Sequence, residues 1–215
     1  MVFLEDIRKT LGTKEKILAT MKSLLPARWL KRRFLKSQRR NDLATIIFSS
    51  GSTGVPKGVM LSHQNIVSNV DGISQVITFT PNDRIMGVLP LFHSFGFTGT
   101  LWLPLLVGFG VVYHPNPTDA KTIGETIQKY QATLLISTAT FYAGYLRRCS
   151  KEEFASLRYL IAGAEKLREQ VANGYQEKFG LTILEGYGCT ELGPVVSVNT
   201  HDVDEGKKSQ NGKKP

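Results

Sequence analysis

Short apolar runs alternate along this chain with segments whose apolar positions return every three or four residues. Residues 85–89, 109–114, 133–137, 158–162 and 181–184 are too short for helices and apolar enough for strands. Between them, residues 62–77 place Ile66, Val70, Ile73 and Ile77 on one helical face, with Ser62 suited to cap the start. Residues 119–131 and 166–179 also read as helices, and residues 43–48 form a further apolar run that reads as a buried strand. This alternation predicts an α/β fold: a mostly parallel, doubly wound sheet with helices on both faces. Functional loops are then expected at the carboxyl ends of the strands. No internal repeat is visible.

Charge divides the chain. Residues 1–40 hold twelve Lys and Arg against three Asp and Glu, whereas the remainder holds fifteen of each, so the net charge of +9 resides in the first segment. The expected organisation is a basic amphipathic helical segment at 1–41, an α/β core at 42–200 and a mobile polar tail at 201–215. In the first segment Ile17, Leu18, Met21, Leu24 and Leu25 repeat at helical spacing, and residues 28–36 mix bases with Trp29, Leu30, Phe34 and Leu35. Residues 28–40 suit an anionic membrane surface, where each base is worth about 1 kcal/mol. A solvated helix packed on its own domain fits the pattern equally. No reader motif accompanies the bases, so nucleic acid is not an expected partner. The sequence has no apolar run long enough to cross a bilayer and no apolar signal core near its start. Cys149 and Cys189 lack metal-ligand spacing and read as reduced cytosolic thiols.

The chemistry concentrates at residues 49–58, Ser-Ser-Gly-Ser-Thr-Gly-Val-Pro-Lys-Gly. Ser49, Ser50, Gly51, Ser52, Thr53 and Gly54 supply free backbone N–H groups and small hydroxyls, and Lys57 adds a point charge. Such groups hold a polyphosphate. The segment is not a Walker loop, because Pro56 replaces the second glycine and Gly58 takes the Ser/Thr position. Proline lacks an N–H and fixes φ, so Lys57 cannot follow the tight nest of that motif.

Two further segments share the order seen in the adenylate-forming superfamily of acyl-CoA synthetases, luciferases and peptide synthetase adenylation domains, which the loop at 49–58 resembles. One is Glu185-Gly186-Tyr187-Gly188-Cys189-Thr190-Glu191, similar to that superfamily's Y-G-x-T-E motif. The resemblance implies ATP and Mg²⁺ as cofactors. Tyr187 would stack on adenine, Thr190 would meet the α-phosphate, and Glu191, with Thr53, would hold the metal. The other is Ala162-Gly163-Ala164-Glu165, which in relatives lies along the adenine face. A metal and fixed donors at the α-phosphorus favour the transition state over the ground state.

Residues 90–96, Pro-Leu-Phe-His-Ser-Phe-Gly, resemble the segment that lies beside the carboxylate in fatty acyl and aryl acid synthetases. His93 would sit near the acyl and phosphate groups, and Lys57, His93, Thr190 and Glu191 form the implied catalytic set. Residues 97–106 are apolar enough either to line an acyl tunnel or to form a buried helix. Leu4-Glu5-Asp6, residues 24–28 and residues 114–121 resemble the bacterial acyl-ACP synthetase/2-acylglycerophosphoethanolamine acyltransferase branch. That branch implies a fatty acid substrate and acyl carrier protein as acceptor, then a lysophospholipid at the cytoplasmic face of the inner membrane. A long-chain acyl-CoA ligase, with coenzyme A as acceptor, is the alternative. No Y-x-T-G-D segment follows Glu191 and no acyltransferase H-x-x-x-x-D motif precedes the loop. The expectation is therefore a central piece of a larger enzyme, soluble and inactive in isolation, or a non-catalytic nucleotide-binding or structural fragment.

Overall fold

The computed structural model describes residues 10–34, 39–49 and 54–200. The chain divides into two units, Met1–Asp42 and Leu43–Pro215. In the first, α1 (Thr13–Ser23) carries Glu15 in its first turn and Lys22 in its last, matching the helix dipole. It buries no residue; Ile17, Leu18, Met21 and Leu24 are all more than half exposed. Pro26 then opens α2 (Ala27–Phe34), and the Trp29 and Leu30 N–H groups bond back to the Pro26 carbonyl. Lys31, Arg32 and Arg33 sit in the last turn of α2, and its first turn holds no acid.

The second unit opens with a hairpin. Strand β1 (Leu43–Ser49) pairs antiparallel with β2 (Lys57–Ser62), and Ser49 lies opposite Lys57. The expectation of a buried strand is corrected here. Of β1 only Ile47 is buried, while Ile46 and Phe48 face outward, because a two-stranded ribbon covers one face of an alternating sequence.

The chain continues into α3 (His63–Val76) through a capping box. The Ser62 hydroxyl accepts from the Asn65 N–H, and the Asn65 side-chain oxygen accepts from the Ser62 N–H. Ile66, Val70 and Ile73 are buried as their spacing predicts.

A six-stranded sheet has the order β4-β3-β5-β6-β7-β8. Its strands are β3 (Arg84–Gly87), β4 (Gly110–Tyr113), β5 (Leu134–Ser137), β6 (Tyr159–Ala162), β7 (Ile183–Gly188) and β8 (Val195–Val198). The first five run parallel and β8 pairs antiparallel with β7. Ile85, Met86, Leu134, Leu135 and Leu160 are almost wholly buried, as expected for strands covered on both faces.

Between β3 and β4 the chain forms α4 (Ser94–Gly96), a π-helical turn (Phe97–Trp102) and α5 (Leu103–Val107), ended by left-handed Gly108. Helices α6 (Ala120–Tyr130), α7 (Ala139–Arg148) and α8 (Glu169–Phe179) follow β4, β5 and β6. Tyr142, Tyr145, Phe154, Tyr175 and Phe179 interlock among them, and the Tyr142 hydroxyl donates to the Leu135 carbonyl at 2.7 Å. Strand β3 has β4 on one side and β5 on the other, so the direction of winding reverses there. Open α/β sheets place a crevice at such a point.

Candidate functional site

The crevice is a cavity of about 320 Å³ at the carboxyl ends of β5, β6 and β7. Its polar rim brings together His93, Tyr187, Thr190 and Glu191, from two separate stretches of chain. Its apolar floor comes from Ile73 of α3 and Ile77 just after it, with Leu103, Ile136 and Val198.

Small residues let the walls approach. A Cβ on Gly96 would collide with the Pro90 carbonyl, so only glycine lets the turn after His93 fold back on the end of β3. A Cβ on Gly163 would sit 3.0 Å from the Phe95 ring. Thr190–Leu192 form a 3-10 turn closed by left-handed Gly193, at the tip between β7 and β8. A Cβ on Gly188 would strike the Pro194 carbonyl.

Hydrogen bonds fix this tip on two sides. The Ser94 and Thr190 hydroxyl oxygens lie 3.0 Å apart. On the other side, the Asn69 amide of α3 donates to the Val195 carbonyl at 2.7 Å and accepts from its N–H at 3.2 Å. A second, polar cavity of about 280 Å³, walled by Asn65, Ser68, Asn69 and Glu191, lies against the same tip.

His93 Nδ1 accepts from the Phe95 N–H at 3.2 Å. In the neutral ring the proton therefore sits on Nε2, a donor on a side chain of the cavity wall. Ala164 has φ of 68°, a left-handed conformation costing a non-glycine residue about 1–3 kcal/mol. Just beyond it, Glu165 accepts from the Thr140 N–H and hydroxyl, both at 2.9 Å. Those bonds, the backbone one foremost with Thr138 next, hold its carboxyl below the ordinary glutamate range.

Of the residues expected from sequence, His93, Gly163, Ala164, Gly186, Tyr187, Gly188, Thr190 and Glu191 share the cavity wall. Glu165 caps α7, and Glu185 accepts from the Leu167 N–H at 2.9 Å; neither is among the lining residues. Ser49 and Lys57 face each other at the hairpin end, and Gly54 is left-handed beside them. Ser50, Gly51, Ser52 and Thr53 lie outside the described residues. Ser94 and Asn69 were not anticipated, because each acts through a partner about a hundred residues away, which no local pattern reveals.

The donor set fits a magnesium nucleotide. Among the described residues no three His, Cys, Asp or Glu converge on a metal. A single carboxylate such as Glu191 suits magnesium, which is held by one or two carboxylates plus phosphate oxygens. Tyr187 is 66% exposed on the rim, with ring surface available for stacking.

Comparison with known proteins agrees with this architecture. The model of the family described as AMP-binding enzyme matches residues 5–214. A probable 4-coumarate–CoA ligase of Dictyostelium discoideum is 38% identical over 165 residues, 74% of this chain and 30% of its own length. A long-chain-fatty-acid–CoA ligase of Salmonella typhimurium is 32% identical over 170 residues, 76% of this chain and 30% of its own length. In three dimensions, apo MatB from Rhodopseudomonas palustris superposes with a TM-score of 0.71 at 30% identity, covering 78% of this chain and 33% of that one. The fatty acid AMP ligase from Legionella pneumophila gives 0.69 at 27% identity, with 77% and 31% covered. The chain thus spans about a third of the length of the relatives it matches.

Proposed function

We propose that this chain, which belongs to the AMP-binding enzyme family, is the nucleotide- and carboxylate-binding part of a fatty acid-activating ligase. In the proposed reaction a fatty carboxylate oxygen attacks the α-phosphorus of ATP, the bond to the β-phosphate breaks, and pyrophosphate leaves with the acyl-adenylate formed. The observation that carries this reading is the cavity itself. One wall offers Tyr187, Thr190 and Glu191, while the floor of Ile73, Ile77 and Leu103 offers only hydrocarbon. A polar rim over an apolar floor suits a molecule with an adenylate at one end and an alkyl chain at the other.

In this reading Tyr187 and the Gly163-Ala164 turn flank the adenine, and Thr190 donates to the α-phosphate. Ser49, Ser50, Gly51, Ser52, Thr53, Gly54 and Lys57 hold the outer phosphates. Glu191, with Thr53, holds Mg²⁺, which when bound offsets negative charge on the phosphate oxygens. His93 orients the carboxylate through Nε2–H. Glu165 and Glu185 serve the nucleotide indirectly, by fixing the turn between β6 and α8 from both sides.

The acceptor is a thiol. Acyl carrier protein, with onward transfer to 2-acylglycerophosphoethanolamine at the inner membrane, is supported by the resemblance of residues 24–28 and 114–121 to that branch. Coenzyme A is the second reading, favoured by the similarity to long-chain-fatty-acid–CoA ligases.

The test is ATP–pyrophosphate exchange with palmitate. In the intact parent enzyme exchange is expected with the fatty acid, and Glu191→Ala there is expected to reduce it by about 100-fold while weakening ATP binding far less, since the acid acts on developing charge. His93→Ala should impair exchange and leave ATP affinity within a few-fold. Exchange driven by an amino acid and not by a fatty acid would overturn the assignment.

A further inference from the structure

The buried hydroxyl of Ser94 has a consequence for Thr190. Ser94 is 2% exposed, and among the described residues its hydroxyl pairs with Thr190 Oγ1 at 3.0 Å. A hydroxyl has one proton to give and two lone pairs to receive. Were Thr190 the donor, the proton of Ser94, which is only 2% exposed although it too lies on the cavity wall, would have no acceptor among the described residues, whereas folded proteins pair nearly all such groups. Thr190 is the more accessible of the two, half-buried on the same cavity wall, where its own proton can be turned inward.

We infer that Ser94 donates to Thr190, and that this fixes the Thr190 hydroxyl as a donor aimed into the cavity. A hydroxyl so held recognises an anionic oxygen. Ser94 is thus a positioning residue for a phosphoryl group, acting through Thr190 from its own place on the cavity wall. Its own place is secured by the Gly96 turn and by Thr98, whose hydroxyl lies 3.5 Å from the Gly193 carbonyl and ties the same two segments together.

The inference rests on the proposed nucleotide site, and one calorimetric series separates the two. ATP with Mg²⁺ and adenosine are titrated into the chain and its variants, with thermal melting to confirm folding. The unaltered chain is expected to bind ATP more tightly than adenosine. Ser94→Ala should weaken ATP about fivefold and leave adenosine unchanged, since only the phosphoryl contact depends on the hydroxyl pair. Thr190→Val should lose at least as much, and adding Ser94→Ala to it should cost nothing further, because the two act as one unit. Should Ser94→Ala fail to fold, Ser94→Cys, with its weaker thiol donor, carries the same comparison. Equal losses for ATP and adenosine, or additive losses in the double variant, would reduce Ser94 to a packing residue and overturn the inference. A chain that binds ATP no better than adenosine would remove the phosphate site, and with it both the inference and the functional reading.

Discussion

Two cysteines show how burial sets the character of a single residue. Cys149 is enclosed at the end of α7, its thiol donating to the Ala120 carbonyl at 3.2 Å. Burial, with the Glu153 charge adding and Lys178 opposing, pushes its pKa up to about 12. The thiolate is the reacting form, so Cys149 is expected to resist alkylation at neutral pH. Cys189 is half-buried on the cavity wall, between Gly188 and Thr190. Maleimide labelling followed by peptide mass mapping should therefore modify Cys189 first, and ATP should slow that modification. Early labelling of Cys149 would contradict its placement. Gly99 makes a second residue-scale case. A Cβ there would collide with Ile136 Cδ1, the end of a side chain that also lines the cavity. Gly99→Ala should push Ile136 into the apolar floor and weaken binding of a long-chain acyl ligand by more than it weakens ATP, measured as paired dissociation constants.

Among the elements, α3 and β8 form the joint that holds Glu191 in place. Asn69 satisfies both the N–H and the carbonyl of Val195, so an edge strand is fastened to a helix 126 residues earlier. Asn69→Ala leaves those two backbone groups unpaired and should cost about 1–3 kcal/mol in urea unfolding. Only half of this joint could be read from sequence. Helix α3 was legible because Ser62 marks its start and Ile66, Val70 and Ile73 mark its face. Strand β8 was not, since Val195–Val198 is four residues long and its pairing depends on the turn at Gly193. Strand β2 escaped for a related reason: Lys57 and Gly58 read as the end of a loop, though they pair with Ser49 and Phe48. Helix α7 was missed because its buried positions include tyrosines, Tyr142 and Tyr145, whose hydroxyls find carbonyl acceptors inside the core. The cavity rim was legible as three motifs. Its floor was not, because Ile73 and Ile77 look like ordinary core positions until α3 is laid along the sheet.

Across the whole molecule, the end of the sheet away from the cavity is locked by one acid. Asp83 is 1% exposed and accepts from Thr80 N–H at 2.7 Å, Thr133 hydroxyl at 2.6 Å and Arg158 at 3.0 Å. It thereby gathers the starts of β3, β5 and β6. Burial alone would raise its pKa, yet the Thr133 and Thr80 hydrogen bonds and the Arg158 charge together hold it below the ordinary 3.8. A folded-state pKa below the unfolded one contributes stability above the unfolded value, which is lost as pH falls through the folded value. Asp83→Ala should cost about 3 kcal/mol at pH 7 by leaving these donors unpaired, and the gap from the unaltered chain should narrow below about pH 3.8. Urea midpoints at pH 7 and pH 3 check both statements. With that end fixed, the opposite end can present adenylate and acyl groups to a single cavity, which is the central claim. Its most direct test is the binding of palmitoyl sulfamoyl adenosine, an unreactive mimic of the acyl-adenylate, compared with adenosine sulfamate, which lacks the chain. Burying four methylenes, at about 0.8 kcal/mol each, is worth about 3 kcal/mol or more than a hundredfold in affinity. The account predicts a preference of at least that size for the acylated compound, and equal affinities for the two would contradict it.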